Sequence, residues 1–136
     1  MPVIGFNLNN ISAEKRNQIS GKLKINNNLK ITTIEKEKQT ITNSDEVLKF
    51  NFKFDVSYDP DIGNLNMEGS LLLMEEPKKV QQIMTDWKKD QKLSKETSTL
   101  VFNTILARCN VKALTLAQDI SLPPHFRLPL IRPNQD

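Results

Sequence analysis

The stretch Val47-Leu48-Lys49-Phe50-Asn51-Phe52-Lys53-Phe54-Asp55-Val56-Ser57-Tyr58 decides the fold class. Leu48, Phe50, Phe52, Phe54, Val56 and Tyr58 take every even position, and Lys49, Asn51, Lys53, Asp55 and Ser57 take the odd ones. Successive side chains of a strand point to opposite faces, so the pattern predicts a strand with one apolar and one wet face. Burying each large side chain contributes about 1.5–3 kcal/mol. A strand wet on one side belongs to an antiparallel sheet covered on one face only.

Downstream, Asp59-Pro60-Asp61-Ile62-Gly63-Asn64 is a turn by its chemistry. Pro60 pre-sets φ, the aspartates bond their own backbone, and Gly63 is expected to supply a positive φ. A second alternating run follows, with Leu65, Met67, Leu71 and Leu73 on one face and Asn64, Asn66 and Glu68 on the other. Gly69 falls on the apolar side, where the missing side chain marks a bulge or a close approach. Upstream, Leu23, Ile25, Leu29 and Ile31 alternate with Lys22, Lys24, Asn26, Asn28, Lys30 and Thr32, and Ile34 breaks phase, which places a bulge near Thr32–Ile34. The β-branched Thr40-Ile41-Thr42 favours further extended chain, and Asn43-Ser44-Asp45 a turn.

After residue 75 the period changes to that of a helix. Pro77 suits a first helical position, and Val80, Ile83, Met84 and Trp87 form an apolar stripe closed by Lys88, Lys89 and Lys92. Ser94 is the expected N-cap of a long helix over 95–119. Its stripe is Phe102, Ile105, Leu106, Cys109, Ala113, Leu116, Ala117 and Ile120, widened by Val101, Val111 and Leu114 beyond what one sheet face covers. The last sixteen positions hold four of the seven prolines, which predicts an extended strap lying on the domain or reaching a partner. The reading is an α+β fold: an antiparallel four-stranded meander sheet with one face covered by two helices. It divides into an N-terminal arm (1–20), an α+β domain (21–120) and a proline-rich strap (121–136).

Composition narrows the function. The chain has 136 residues, the size of one domain, with 38% hydrophobic and 26% charged residues. Nineteen Lys and Arg against sixteen Asp and Glu give a net charge of +3, compatible with an anionic partner but far from a dedicated nucleic-acid binder. One Cys rules out an intrachain disulfide and a Cys-based zinc site within one chain, and one His removes nearly every His-based metal or catalytic constellation. No metal and no cofactor is expected. The first residues lack a basic segment ahead of an apolar run, and no stretch approaches the roughly 18 apolar residues of a bilayer span, so a cytoplasmic location without membrane insertion is expected.

The Phe-alternating sheet, the long helix with a mid-helix Cys, and the strap built on Leu122-Pro123-Pro124 and Leu128-Pro129-Leu130 together resemble the SecB-like fold, the class of the bacterial export chaperone. Trp87-Lys88-Lys89 ahead of the Cys-containing helix is similar to the short archaeal members of that class. The resemblance implies a four-stranded sheet, helices on one face, and dimers or tetramers whose apolar grooves hold unfolded chains. Three features depart from the export chaperone: the extra helix before the long one, the lack of a second C-terminal helix after Ile131, and the basic charge. The last argues against the acidic docking by which that chaperone meets its translocase motor.

Cys109 and His125 can be imagined as a nucleophile and a base. Cys109 lies on an apolar stripe, where it acts as a small hydrophobe, and His125 has no Asp or Asn at a recognisable spacing to orient it. The carboxylate pairs Asp59/Asp61, Glu75/Glu76 and Asp45/Glu46 fall in turns or at a helix start, where water screens them. No enzyme is expected. Trp87, Val101, Val111, Leu114, Phe126, Leu128 and Leu130 exceed what a small sheet buries, and are assigned to a polypeptide-binding surface or an oligomer interface. The leading expectation is a homo-oligomeric protein that holds unfolded or nascent polypeptide in apolar grooves. The alternative is a ribosome- or RNA-associated protein contacting rRNA through Lys22, Lys24 and Lys30 on the first strand and Arg127 and Arg132 in the tail.

Overall fold

All six even-numbered apolar side chains of the alternating run are at most 2% exposed, and they form the centre of the sheet. The structure, a computed structural model, describes residues 3–19, 21–37 and 45–126. The extended stretch expected at Thr40-Ile41-Thr42 lies outside the described residues. The elements are β1 (Val3–Lys15), β2 (Lys24–Lys36), β3 (Glu46–Asp59), β4 (Gly63–Glu75), α1 (Pro77–Asp90) and α2 (Lys95–Asp119). The sheet is antiparallel throughout, in the order β1-β4-β3-β2. Strands β2, β3 and β4 are the meander the sequence predicts, with the expected register shift between Ile31 and Thr33.

The first correction concerns residues 1–20. They are not an arm apart from the domain, because Val3–Lys15 is the fourth strand and pairs with β4 from Leu73 back to Gly63. Register shifts between Val3 and Gly5 and between Leu8 and Asn10 bend this edge strand. Two glycines let it sit where it does. A Cβ on Gly69 would run into the backbone carbonyl oxygen of Asn7, and one on Gly63 into that of Glu14. Gly63 therefore serves close approach and not the turn. The positive φ of the turn, 48°, belongs to Asp61, a residue type that tolerates the left-handed region.

Both helices cover the same face. Pro77 opens α1, whose Val80 and Ile83 are buried while Met84 and Trp87 are half-buried. Gln91 closes it in the left-handed region, its N–H donating to Trp87 O at 2.9 Å. The Ser94 hydroxyl accepts from the Thr97 N–H at 3.3 Å, so the expected N-cap of α2 is in place. The buried line of α2 is Thr97, Val101, Ile105, Cys109, Ala113 and Ala117, a strict four-residue spacing. Cys and Ala in its second half let the helix lie close over β4. Val101 is thus a second correction: it is fully buried in the core and is not available to a partner.

Candidate functional site

The chain leaving α2 is laid down on the open end of the core. Ser121 turns it at a φ of 58°, and the buried Leu122 donates its N–H to Ala117 O at 2.8 Å and touches Gly63. The Tyr58 hydroxyl donates to Pro123 O at 2.7 Å. Two residues on, the buried His125 ring meets Phe54 edge-on at a centroid distance of 6.3 Å and Phe126 at 4.8 Å. Leu122 lies beside Gly63 of β4, Pro123 at Tyr58 and His125 at Phe54, so the strap passes from β4 onto β3 and then runs along β3.

His125 is oriented after all. Its Nε2 lies 2.8 Å from Asn110 Oδ1 on α2. An amide oxygen only accepts, so the proton sits on Nε2 and leaves Nδ1 bare. Nδ1 is buried with no hydrogen-bond partner, and burial lowers the ring's pKa. An Asn fifteen residues away oriented by tertiary packing carries no sequence spacing to recognise. The pair does not make a catalytic dyad, since burial pushes the Cys109 thiol up to about 11, away from thiolate character at neutral pH. What His125 does is pin the strap.

The sign of its pH effect follows. The folded state keeps the ring neutral, while the unfolded chain protonates it near its ordinary value of about 6.5. Stability is therefore complete above that value and falls as the pH drops through it toward the lowered folded value. The urea midpoint is expected to fall on acidification from about pH 7.5 to about pH 5.5, and to fall less in His125→Phe. Equal losses in both proteins would show that the ring titrates freely.

Between β2 and the helices lies a groove of about 440 Å³ bounded by Leu29 and Ile31, by Trp87 and Leu93, and by Phe102, with the polar Lys30, Gln91, Lys92 and Ser98 also in its wall. A second hollow, about 350 Å³, lies between Phe6 and Leu8 of β1 and Val111 and Thr115 of α2, where the Arg108 guanidinium stacks over Phe6 at 5.4 Å. A third, about 400 Å³, joins Leu114 and Ala117 to Leu122 and Pro124.

The residues singled out in the sequence therefore separate. Trp87 lines the first groove, Val111 borders the second at 66% exposure, and Leu114 lines the third. Phe126 is exposed. Leu128, Leu130, Arg127 and Arg132 lie outside the described residues. Lys22, Lys24 and Lys30 are exposed as expected, but Lys22 lies ahead of β2 and not on it, and the face that Lys24 and Lys30 occupy carries acids as well. Lys24 pairs in register with Asp59, and the neighbouring Lys53 stands 4.0 Å from Glu68. Arg16 is held by Asp61 at 2.6 Å and by Asn64 at 2.6 Å. Among the described residues no group of three His, Cys, Asp or Glu comes together to hold a metal ion.

No protein-family model matches the sequence, and no curated protein is similar to it. The likeness is in three dimensions. A SecB-like chaperone of Mycobacterium tuberculosis, Rv1957, solved in complex with a ChAD peptide from the Rv1956 HigA1 antitoxin, superposes on 97% of this chain and 91% of its own with a TM-score of 0.58. The fold is SecB-like. The sequences are only 14% identical, so the correspondence lies in the sheet and helices and not in individual side chains. On this SecB-like frame the sequence reading missed Phe6, Leu8, Leu29, Leu93 and Phe102 as groove residues. Each had been assigned to the core or left unassigned, and each is in fact half-buried at its margin. Helix α2 is also long and apolar enough to cross a membrane by length and composition, though six of its residues are buried in the SecB-like core.

Proposed function

We propose that this chain is a non-enzymatic, chaperone-like binding protein of the cytoplasm that holds unfolded or nascent polypeptide in apolar grooves and assembles as a homo-oligomer. The observation that carries it is the groove at Trp87, bordered by a sheet edge and the helices, where Leu29, Ile31, Leu93 and Phe102 present apolar surface between the polar Lys30, Gln91, Lys92 and Ser98. Burial of a client's apolar side chains there supplies the affinity, and the free edge of β2 offers backbone partners to an extended segment. The peptide-bound state of the SecB-like protein of similar fold supports a ligand of the same class. The exposed Val111, which lines the β1 hollow, and the exposed Ile11 of β1 supply apolar surface for a second copy.

The test is suppression of aggregation. At about equimolar ratio the protein should keep a heat-unfolded substrate from scattering light, and Trp87→Ala should weaken client binding about tenfold or more, since truncating a buried aromatic anchor commonly costs about 2 kcal/mol. No protection at severalfold excess would overturn the reading.

A further inference from the structure

We propose that the strap is an acid-operated latch: protonation of His125 releases residues 123–126 from the core while the sheet and both helices stay folded, and so uncovers apolar surface at Phe54 and Tyr58. The device stands apart from the groove at Trp87, and its test does not depend on how that groove is read.

The seat suits a neutral ring only. His125 is 5% exposed, and the rings beside it are Phe54 and Phe126, both met edge-on. Its polar partner is Asn110 Oδ1 at 2.8 Å, and Nδ1 is buried without one. A second proton would go to Nδ1, placing a cation and an unaccepted N–H in apolar surroundings, where both are costly. Among the described residues no charge offsets it. On β3, Lys49, Lys53, Asp55 and Asp59 stand on the opposite face of the sheet, and Glu46 lies at the far end of the strand, held by Lys36 at 2.8 Å. Tyr58 shares the face of Phe54, but its hydroxyl is committed to Pro123 O. On β2 the partners of that face are Ile25, Asn27 and Leu29, none of them ionisable. On α2 the Cys109 thiol is buried and neutral, Arg108 and Lys112 line the hollow on the β1 flank, and Asp119 is exposed at the helix end.

The strap can also leave by itself. Residues 123–126 are held by the Tyr58 hydroxyl on Pro123 O and by the His125 ring, and neither contact is a rung of the sheet. Leu122, tied by its own N–H to Ala117 O, is the hinge. Segments held by so few contacts open at far less than the global unfolding free energy. The two states fix the sign of the pH effect. Burial lowers the proton affinity of the seated ring, whereas a released ring titrates near its ordinary value of about 6.5. Below that value the released form takes up a proton and the seated form does not. The ratio of released to seated chain therefore rises about tenfold per pH unit, until the lowered seated value is reached.

NMR on the full-length chain follows the release directly. Between about pH 7.5 and about pH 5 the ring-to-ring contact of His125 with Phe54 should vanish. Fluorescence of the apolar dye ANS should rise severalfold over the same range, while the amides of β3 and β4 stay protected. Asn110→Asp sets a carboxylate against Nε2 and should keep the imidazolium seated, moving release down by about one pH unit or more. His125→Phe cannot be protonated and should leave the dye response flat; Asn110→Asp carries the test if that variant folds poorly. A ring contact that persists to pH 5 overturns the latch, and so does a dye response that neither variant alters. Loss of the ring contact together with β3 protection overturns it too, because the strap would then leave only with the whole fold.

Discussion

Replacing Phe54 with Ala is expected to lower the unfolding free energy by about 3–5 kcal/mol, the usual cost of removing a core phenylalanine. Phe54 is fully buried on a central strand, flanked in register by Leu29 and Met67, and its ring is the surface on which His125 stands. The cavity would open beneath the strap as well as within the core. Two readouts should therefore move together. The thermal midpoint should drop by roughly 10 °C, given about 2–4 °C per kcal/mol for a domain of this order of size. The His125 ring, freed from its apolar seat, should titrate nearer its ordinary value in NMR. A destabilised protein whose His125 still titrates low would show that Asn110 alone holds the ring, and that the strap is not seated on β3.

The same residue shows what could be read from the chain and what could not. The period-two run 47–58 gave the central strand, its buried face and the sheet class, because alternation is a local consequence of backbone geometry. Pro77 and Ser94 marked the starts of both helices for a similar reason, since each satisfies or dispenses with backbone donors at a helix N-terminus. Strand β1 was illegible for the opposite reason. Val3, Phe6, Leu8, Ile11 and Ala13 pair with Leu73, Leu71, Gly69, Met67 and Leu65 on the apolar face of β4, a spacing that alternates only once a residue is skipped at each of the strand's two register shifts. Without knowledge of β4 the pattern reads as no strand at all.

The long helix presents a different ambiguity. Apolar residues on several of its sides allow more than one choice of inward face. The predicted stripe holds Ile105, Cys109, Ala113 and Ala117 of the buried line, but it centres on Phe102 in place of Val101 and includes Leu106, Leu116 and Ile120, which are half-buried. Small residues settle the matter in the structure, because Cys109, Ala113 and Ala117 permit the closer approach. The exchange of Val101 for Phe102 is the error of face: Val101 belongs to the core, and Phe102 stays at its margin and lines the groove at Trp87. His125 was legible only as a lone histidine, since its orientation depends on Asn110, Phe54 and Phe126 meeting across three separate parts of the chain.

A glycine supplies the other large expected effect. In a strand interior, Gly→Ala is ordinarily favourable by about 0.5–1 kcal/mol, because glycine loses more backbone freedom on folding. At Gly69 the sign should reverse. The added Cβ meets the carbonyl oxygen of Asn7 and lies 3.0 Å from the Cα of Leu8, both main-chain atoms of β1, so no side chain can swing away to make room. Relief requires moving the edge strand, which strains the pairing of Asn7 with Ser70 and the stack of Phe6 on Phe52, whose rings lie 5.5 Å apart. Overpacking of this kind costs about 1–3 kcal/mol or more. Gly5→Ala is the matched control, since its Cβ meets only the Leu72 side chain, at 3.0 Å from a terminal methyl that can rotate. Hydrogen exchange should show amides of β1 opening early in Gly69→Ala and not in Gly5→Ala, with β2 and β3 protected in both. Unchanged protection of β1 in Gly69→Ala would mean that the edge strand is not held at the close approach described, and the hollow between Phe6 and Val111 would lose its floor.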